Sequence, residues 1–322
     1  MTSKEYVKKT INFECDGSVP IFYFNRDTEK SDILMEGLDC ASDFKPSKEG
    51  QSEGGFVWSR LDATMGQPKE PPLQDGYEDM SKLLRPNPDD DKRYVYLKKK
   101  AAENPDKYII ANLGITGFNT LTFIRGFEET LEDLYLEPEK LMEVMHIVKD
   151  FEMGLIRNIG KIDGVDAVGF YDDWGTQNSL MIDPAMFRKY FKPIYKEQFD
   201  LIHSFGKQVF FHSCGQVYDI IEDLIEAGAD MLNLNQPDIF PMEKLEKFRG
   251  RVCFNCPVDH QTVAIHGTPA EIADYTVRLK KSLATDKGGF IANIEWYDTV
   301  GMSEENYQAI SAGFEKLRKK PL

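Results

Sequence analysis

From Tyr108 onward, short apolar runs alternate with amphipathic helical stretches without a break, and this rhythm constrains the fold more than any other feature of the chain. Strands are expected at 108–114, 167–173, 208–214, 230–236, 252–256 and 289–295. Between them, Leu141, Val144, Met145, Val148, Phe151 and Leu155 keep the i, i+3, i+4 spacing of one helix face over about 138–160. Asp183-Pro184 offers an N-cap and a first-turn proline for the next helix, and Pro193 inside it predicts a kink. A helix over 217–227 is ended by Gly228. Another is expected near 241–248. Thr268-Pro269-Ala270-Glu271 opens a further one with a capping box, and the last spans about 304–318.

These are six βα units, and strands at 21–25 and 33–36 complete eight. Strict alternation means a parallel sheet, and eight repeats favour an α/β fold of the (β/α)8 TIM barrel type over an open doubly wound sheet. No Gly-x-Gly-x-x-Gly follows a first strand, so a dinucleotide fold has no support. The whole chain, 1–322, reads as one barrel domain. Residues 40–107, rich in Pro, Gly and Asp, interrupt the rhythm as an N-terminal excursion. The plain reading is decoration of the barrel; the functional reading is a lid.

Composition narrows the function classes. A net charge of −15 argues against a nucleic-acid partner and against anionic membrane surfaces. No apolar run approaches the length of a membrane span, and residues 1–5 lead into no signal-peptide core, so a soluble cytoplasmic protein is expected. Five cysteines are too few and too scattered for a disulfide framework.

In a barrel of this kind the active site lies at the C-terminal ends of the strands, and here those ends are polar. His212 and Cys214 alternate along a strand and so project from one face, an N/S pair suited to zinc. The bland alternative is a core histidine beside a core cysteine. Cys256 is the better-placed third ligand, with Glu295 as the other candidate. Cys253 and Cys256, three apart on a strand, face opposite sides, so Cys253-x-x-Cys256 is not expected to chelate as a pair. Asp172 and Asp173 are candidate catalytic acids. Their side chains alternate, so only one points inward, to bind substrate, move a proton or orient His212. Asn233 and Asn235 share one face of their strand. Trp174, Trp296 and Tyr297 are candidate pocket walls, and Arg125 a candidate grip on an anionic group, with a structural ion pair as its alternative. His146, His203 and His266 read as solvated or structural; His260 is a minor candidate for the mouth.

Taken together, Ile124-Arg125-Gly126-Phe127-Glu128, Asp172-Asp173-Trp174-Gly175-Thr176-Gln177, His212-Ser213-Cys214-Gly215, Asn235-Gln236-Pro237 and Cys256-Pro257-Val258-Asp259 resemble the uroporphyrinogen decarboxylase superfamily. The resemblance covers most of the chain from about residue 105. It implies a (β/α)8 barrel and either a decarboxylase or a zinc methyltransferase working with corrinoid proteins or thiols. The methyltransferase branch is marked by His-x-Cys and a later Cys, which fall here on His212, Cys214 and Cys256. The decarboxylases grip a polycarboxylate tetrapyrrole with an arginine-rich N-terminal motif. Residues 1–40 hold only Lys4, Lys8, Lys9, Arg26 and Lys30, which argues against a porphyrinogen substrate. The resemblance thus implies a methyltransferase that takes methyl from a small donor, such as an aryl methyl ether, to the cobalamin of a partner corrinoid protein. A metal-independent lyase acting on a smaller acid and a non-catalytic barrel that binds a corrinoid protein are its rivals.

Overall fold

The computed structural model describes residues 1–60 and 66–318, and in it the alternation closes into a barrel. In chain order the strands are β1 (Ile21–Tyr23), β2 (Ile33–Glu36), β3 (Val57–Ser59), β4 (Gln67–Lys69), β5 (Tyr108–Ile115), β6 (Ala167–Tyr171), β7 (Gln208–Ser213), β8 (Met231–Leu234), β9 (Cys253–Cys256) and β10 (Phe290–Ile294). All but β3 and β4 form one parallel sheet in the order β1-β10-β9-β8-β7-β6-β5-β2. The seam between β1 and β2 is drawn shut by the residues just before β2. The Asp32 carboxylate accepts from Ile21 N (2.9 Å), Ser31 Oγ accepts from Tyr23 N (3.0 Å), and Asp32 N donates to Ile21 O (2.9 Å).

Eleven α-helices accompany the strands among the described residues: α1 (Ser3–Ile11), α2 (Val95–Glu103), α3 (Gly117–Arg125), α4 (Phe127–Leu136), α5 (Pro138–Gly160), α6 (Pro184–Met186), α7 (Lys192–Ser204), α8 (Tyr218–Ala227), α9 (Val263–His266), α10 (Pro269–Leu283) and α11 (Glu304–Arg318). The capping box at Thr268/Glu271 is present, and a second one, Thr2/Glu5, starts α1. The kink expected around Pro193 takes the form of a π-helical turn, Phe187–Phe191, just ahead of it. The helix expected near 241–248 is a 3-10 helix, Met242–Phe248.

Alternation along each strand divides the apolar residues into two cores. Phe22, Ile33, Tyr108, Ile110, Ala167, Phe210, Met231, Cys253 and Ile291 fill the barrel interior, and Val7 and Ile11 of α1 pack onto this cluster. The opposite faces, with Val168, Phe170, Phe211, Leu232, Phe254 and Cys256 among them, pack against the helices. Lys4 and Lys8 both pair with buried Asp166, at 2.9 and 2.8 Å, so two of the few N-terminal cations are committed to holding α1 in place.

The 40–107 excursion carries a small antiparallel β3/β4 hairpin and α2; residues 61–65 within it lie outside the described residues. The Glu53–Arg93 ion pair braces it internally, and Arg125 of α3 ties it to the barrel by donating to Leu73 O and Gln74 O. Among the described residues no helix is long and apolar enough to cross a membrane.

Candidate metal centre at the barrel mouth

Strand β7 delivers His212 and Cys214 to the mouth, as their alternation requires, and the third group comes from the end of β6. His212 Nε2, Cys214 Sγ and a carboxylate oxygen of Asp173 all lie within 4.8 Å of one another. The separations are 3.4 Å from Nε2 to Sγ and 3.3 Å from Nε2 to Asp173 Oδ1. Nitrogen, sulfur and oxygen ligands sharing one tetrahedral zinc stand about 3.3–3.6 Å apart, given bonds of roughly 2.0–2.3 Å. The donor set and both separations from Nε2 therefore fit zinc.

The histidine is also held in the right tautomer. Its Nδ1 lies 2.5 Å from Asn233 Oδ1, and Asn233 is oriented in turn because its Nδ2 donates to Asn255 O and Asn255 Oδ1, both at 2.8 Å. The side-chain oxygen of Asn233 thus faces the ring, Nδ1 carries the hydrogen, and the Nε2 lone pair is left for the mouth. Tyr171 stacks on the imidazole at 4.6 Å between centroids and fixes its plane. Asp173 is fixed too, since Cys214 N donates to its Oδ1 at 2.8 Å.

The loops after β6 and β7 are laced together by Trp174 N to Ser213 Oγ (3.0 Å), Gly175 N to Cys214 O (3.2 Å) and Gln216 N to Thr176 O (2.8 Å). Their backbones approach so closely that a Cβ on Gly215, whose φ is +80°, would stand 2.2 Å from Gly175 O. Glycine at this crossing is what brings Asp173 beside Cys214.

Electrostatically the cluster attracts positive charge. Burial works against an imidazolium at His212, but Cys214 and Asp173 outweigh it and hold the ring's proton affinity well above the ordinary histidine value. Burial likewise disfavours the Asp173 carboxylate, yet His212 and the Cys214 N–H keep its pKa below the usual range. A bound divalent cation would take the place of that proton.

Glu295 stands near this cluster without joining it. Burial raises its pKa, Tyr297 donates to its Oε2 (2.5 Å), and the charge of His212 pulls modestly the other way. Tyr297 stacks on His260 at 4.7 Å, His260 Nδ1 donates to Asn235 O (3.0 Å), and Asn235 Nδ2 reaches Tyr297 Oη at 3.5 Å. Trp296 is half-buried at the rim with the Arg26 guanidinium 4.6 Å over its ring.

Three sequence-derived expectations need correction, and a fourth residue, Arg125, resolves to its structural reading. Cys256 faces the helices, in the outer core; its inward neighbour Asn255 pairs with Asn233, and pairing register sets which side of β9 meets the mouth. Asp172 turns away from the mouth as well. Fully buried, it accepts from Phe118 N and Asn119 N (both 2.9 Å) and from Tyr195 Oη, and so caps the start of α3. Trp174 is fully buried between Phe118 and Phe191, with Nε1 donating to Tyr195 Oη (3.0 Å), so it packs rather than walls a pocket. Arg125 is committed to Asp133 at 2.7 Å and to the excursion, the structural alternative for that residue. Asp173 is the member of the candidate cluster that sequence reasoning did not assign to the metal. The reading that one of the two aspartates points inward was the signal that could have found it.

The uroporphyrinogen decarboxylase (URO-D) family matches residues 66–314. No curated protein matches the chain. Among solved structures, a methyltransferase from Methanosarcina mazei superimposes with a TM-score of 0.73 over 98% of this chain and 99% of its own, at 11% identity, a likeness of fold. Xylanase 10B from Thermotoga maritima (TM-score 0.46, 10% identity, 99% and 100% covered) and a zinc-bound IOLI protein (TM-score 0.41, 12% identity, 71% and 94% covered) are more distant, and nothing further follows from them.

Proposed function

The chain is a member of the uroporphyrinogen decarboxylase family, and on that premise we propose that it is a zinc-dependent methyltransferase of the cytoplasm. It moves a methyl group from a small donor, such as an aryl methyl ether, to the cob(I)alamin of a partner corrinoid protein. The observation that carries this reading is the meeting of His212 Nε2, Cys214 Sγ and Asp173 within 4.8 Å, with the imidazole tautomer already set. The fold likeness to a methyltransferase points the same way. All five cysteines are free thiols, which suits a reducing compartment and a thiolate ligand.

Zinc bound by these three side chains would supply Lewis acidity toward the donor oxygen, and the partner's corrinoid would supply the electron pair that receives the methyl. The chain's own residues do the rest. Asn233 keeps the hydrogen on Nδ1, so His212 cannot turn its lone pair away from the mouth. Burial raises the Glu295 carboxyl above the ordinary carboxylate range, and Tyr297 orients it. As the methyl–oxygen bond breaks, the oxygen retains the bonding pair, and a protonated Glu295 carboxyl would supply its proton. Asn235 and Tyr297 flank the donor.

The test is zinc stoichiometry on anaerobically purified protein, beside a His212→Ala/Cys214→Ser double variant. About one zinc per chain, absent from the double variant, is expected on a three-ligand site. Cob(I)alamin methylation by a panel of methyl ethers should follow zinc content. Wild-type protein that stays free of zinc even when supplied with it would overturn the reading in favour of an acid-based lyase.

A further inference from the structure

A cavity of about 590 Å³ that shares no lining residue with the metal centre opens between the 40–107 excursion, the C-terminal end of β5 and helices α3 and α5. That volume is in the range of small-molecule sites. Its wall is mainly apolar, with Phe56 and Leu83 from the excursion and Phe151 and Leu155 from α5. Two polar groups in that wall stand out. Glu152 is 4% exposed, and its two oxygens meet only neutral donors, Gly117 N at 2.9 Å and Gln198 Nε2 at 2.6 Å. Among the described residues no cation pairs with it. The Ser52 hydroxyl is buried and has no hydrogen-bond partner.

We propose that this cavity is a second binding site, separate from the metal centre, for an apolar monoamine whose protonated nitrogen lies against Glu152 and whose hydrocarbon lies against Phe56 and Phe151. A buried carboxylate without a counter-ion is costly, and a cation entering the cavity offsets that cost. Burial, opposed by the hydrogen bonds from Gly117 and Gln198, raises the Glu152 carboxyl to about 7, so an arriving cation finds it ready to ionise. The Ser52 oxygen is a further acceptor for an ammonium hydrogen. Aromatic faces in the wall favour a cation over a neutral chain of the same shape. The chain's charge of −15 draws cations from a distance. Of the acids in the wall, Glu53 is already paired with Arg93 and Asp150 with Lys149, which leaves Glu152 without a cation and Arg85, exposed at the rim, as the basic residue among those that line the cavity.

The experiment is calorimetric titration of the protein with phenylbutylamine, phenylbutanol and phenylbutyrate. The amine should bind one per chain and at least ~10-fold tighter than the alcohol or the acid, a gap of about 1.4 kcal/mol. Glu152→Gln should erase the preference for amine, with folding checked by thermal melting. Leu84→Trp, which fills the cavity from the excursion side, should weaken binding whether or not Glu152→Gln folds. His212→Ala should leave amine affinity unchanged. Equal affinity for amine and alcohol, a preference that survives Glu152→Gln, indifference to Leu84→Trp, or loss of binding in His212→Ala would each overturn the proposal. None of these readouts depends on methyl transfer, so the cavity and the metal centre succeed or fail separately.

Discussion

Asn233 Oδ1 takes the Nδ1 hydrogen of His212 at 2.5 Å, and that contact aims Nε2 at Cys214 and Asp173. Asn233→Leu keeps the bulk and removes the acceptor, so the ring loses its fixed tautomer. Zinc affinity should fall about 10–100-fold, the usual cost of losing a partner behind a histidine ligand. Competition with a chromophoric chelator measures it. Unchanged affinity would mean that the asparagine only fills space.

Zinc uptake should release a proton from His212. Burial opposes the imidazolium, but Cys214 and Asp173 raise its pKa well above the ordinary histidine value, so at neutral pH zinc displaces a proton from Nε2. Affinity should climb as pH rises through neutrality and keep climbing beyond the usual imidazole range, because the ring is emptied only there. Calorimetry in two buffers of different ionisation enthalpy counts the protons. Zinc uptake at pH ~7 with none released, against an ordinary histidine value near ~6.5, would sink the idea.

The barrel was legible because its signal is repeated. Each apolar run from Tyr108 onward needs only to be a strand, and β1 and β2 then follow by count. The β3/β4 hairpin was not legible, since three-residue strands such as Gln67–Lys69 carry no periodicity. At the site, His212 and Cys214 were readable from alternation alone. The third member of the cluster was not. Cys256 is closest to the end of β9, but the pairing of Asn255 with Asn233 turns the cysteine outward, and register is a property of two strands. Asp172 and Asp173 could be separated into one inward and one outward residue, but which is which depends on where β6 ends. Trp174 and Arg125 sit in polar or aromatic company that suggests a pocket, and only packing reveals that they belong to the core and to the anchoring of the excursion.

Cys256→Ala and Cys214→Ser should therefore part company. The first removes a buried sulfur from the sheet–helix layer, costs on the order of 1 kcal/mol of stability, and leaves zinc stoichiometry unchanged. The second leaves the fold intact and abolishes stable zinc binding. Metal analysis beside chemical denaturation separates the two effects. Zinc loss in Cys256→Ala would return that residue to the ligand set.

The crossing of Gly175 and Gly215 makes a sharper claim about loop geometry. Gly215→Ala sets a Cβ 2.2 Å from Gly175 O at a φ of +80°, so the two loops must part and carry Asp173 away from Cys214. A loss of more than ~2 kcal/mol and of most zinc affinity is expected. Gly206→Ala is the control: its φ is +69° with nothing within 4 Å, so it should cost only about 1 kcal/mol of backbone strain and leave zinc untouched. Equal effects from the two would refute a special role for the crossing.

Glu152 gives the chain a stability that falls as pH rises. Burial lifts its carboxyl to about 7, so between the ordinary carboxylate range and that value the folded chain holds a proton that the unfolded chain has released. Folding is then favoured at the acid end of the window and weakened as pH climbs through it, by up to about 3 kcal/mol in total. Buried Asp172, raised by the same cause, adds in the same direction. Glu152→Gln keeps an acceptor for the Gly117 N–H and removes the titration. Urea denaturation from mildly acidic to mildly alkaline pH should show a flatter profile for the variant than for wild type, with the gap between them closing at the acid end. Parallel profiles would mean that Glu152 is ionised throughout, and that a cation or water already compensates it in the folded protein.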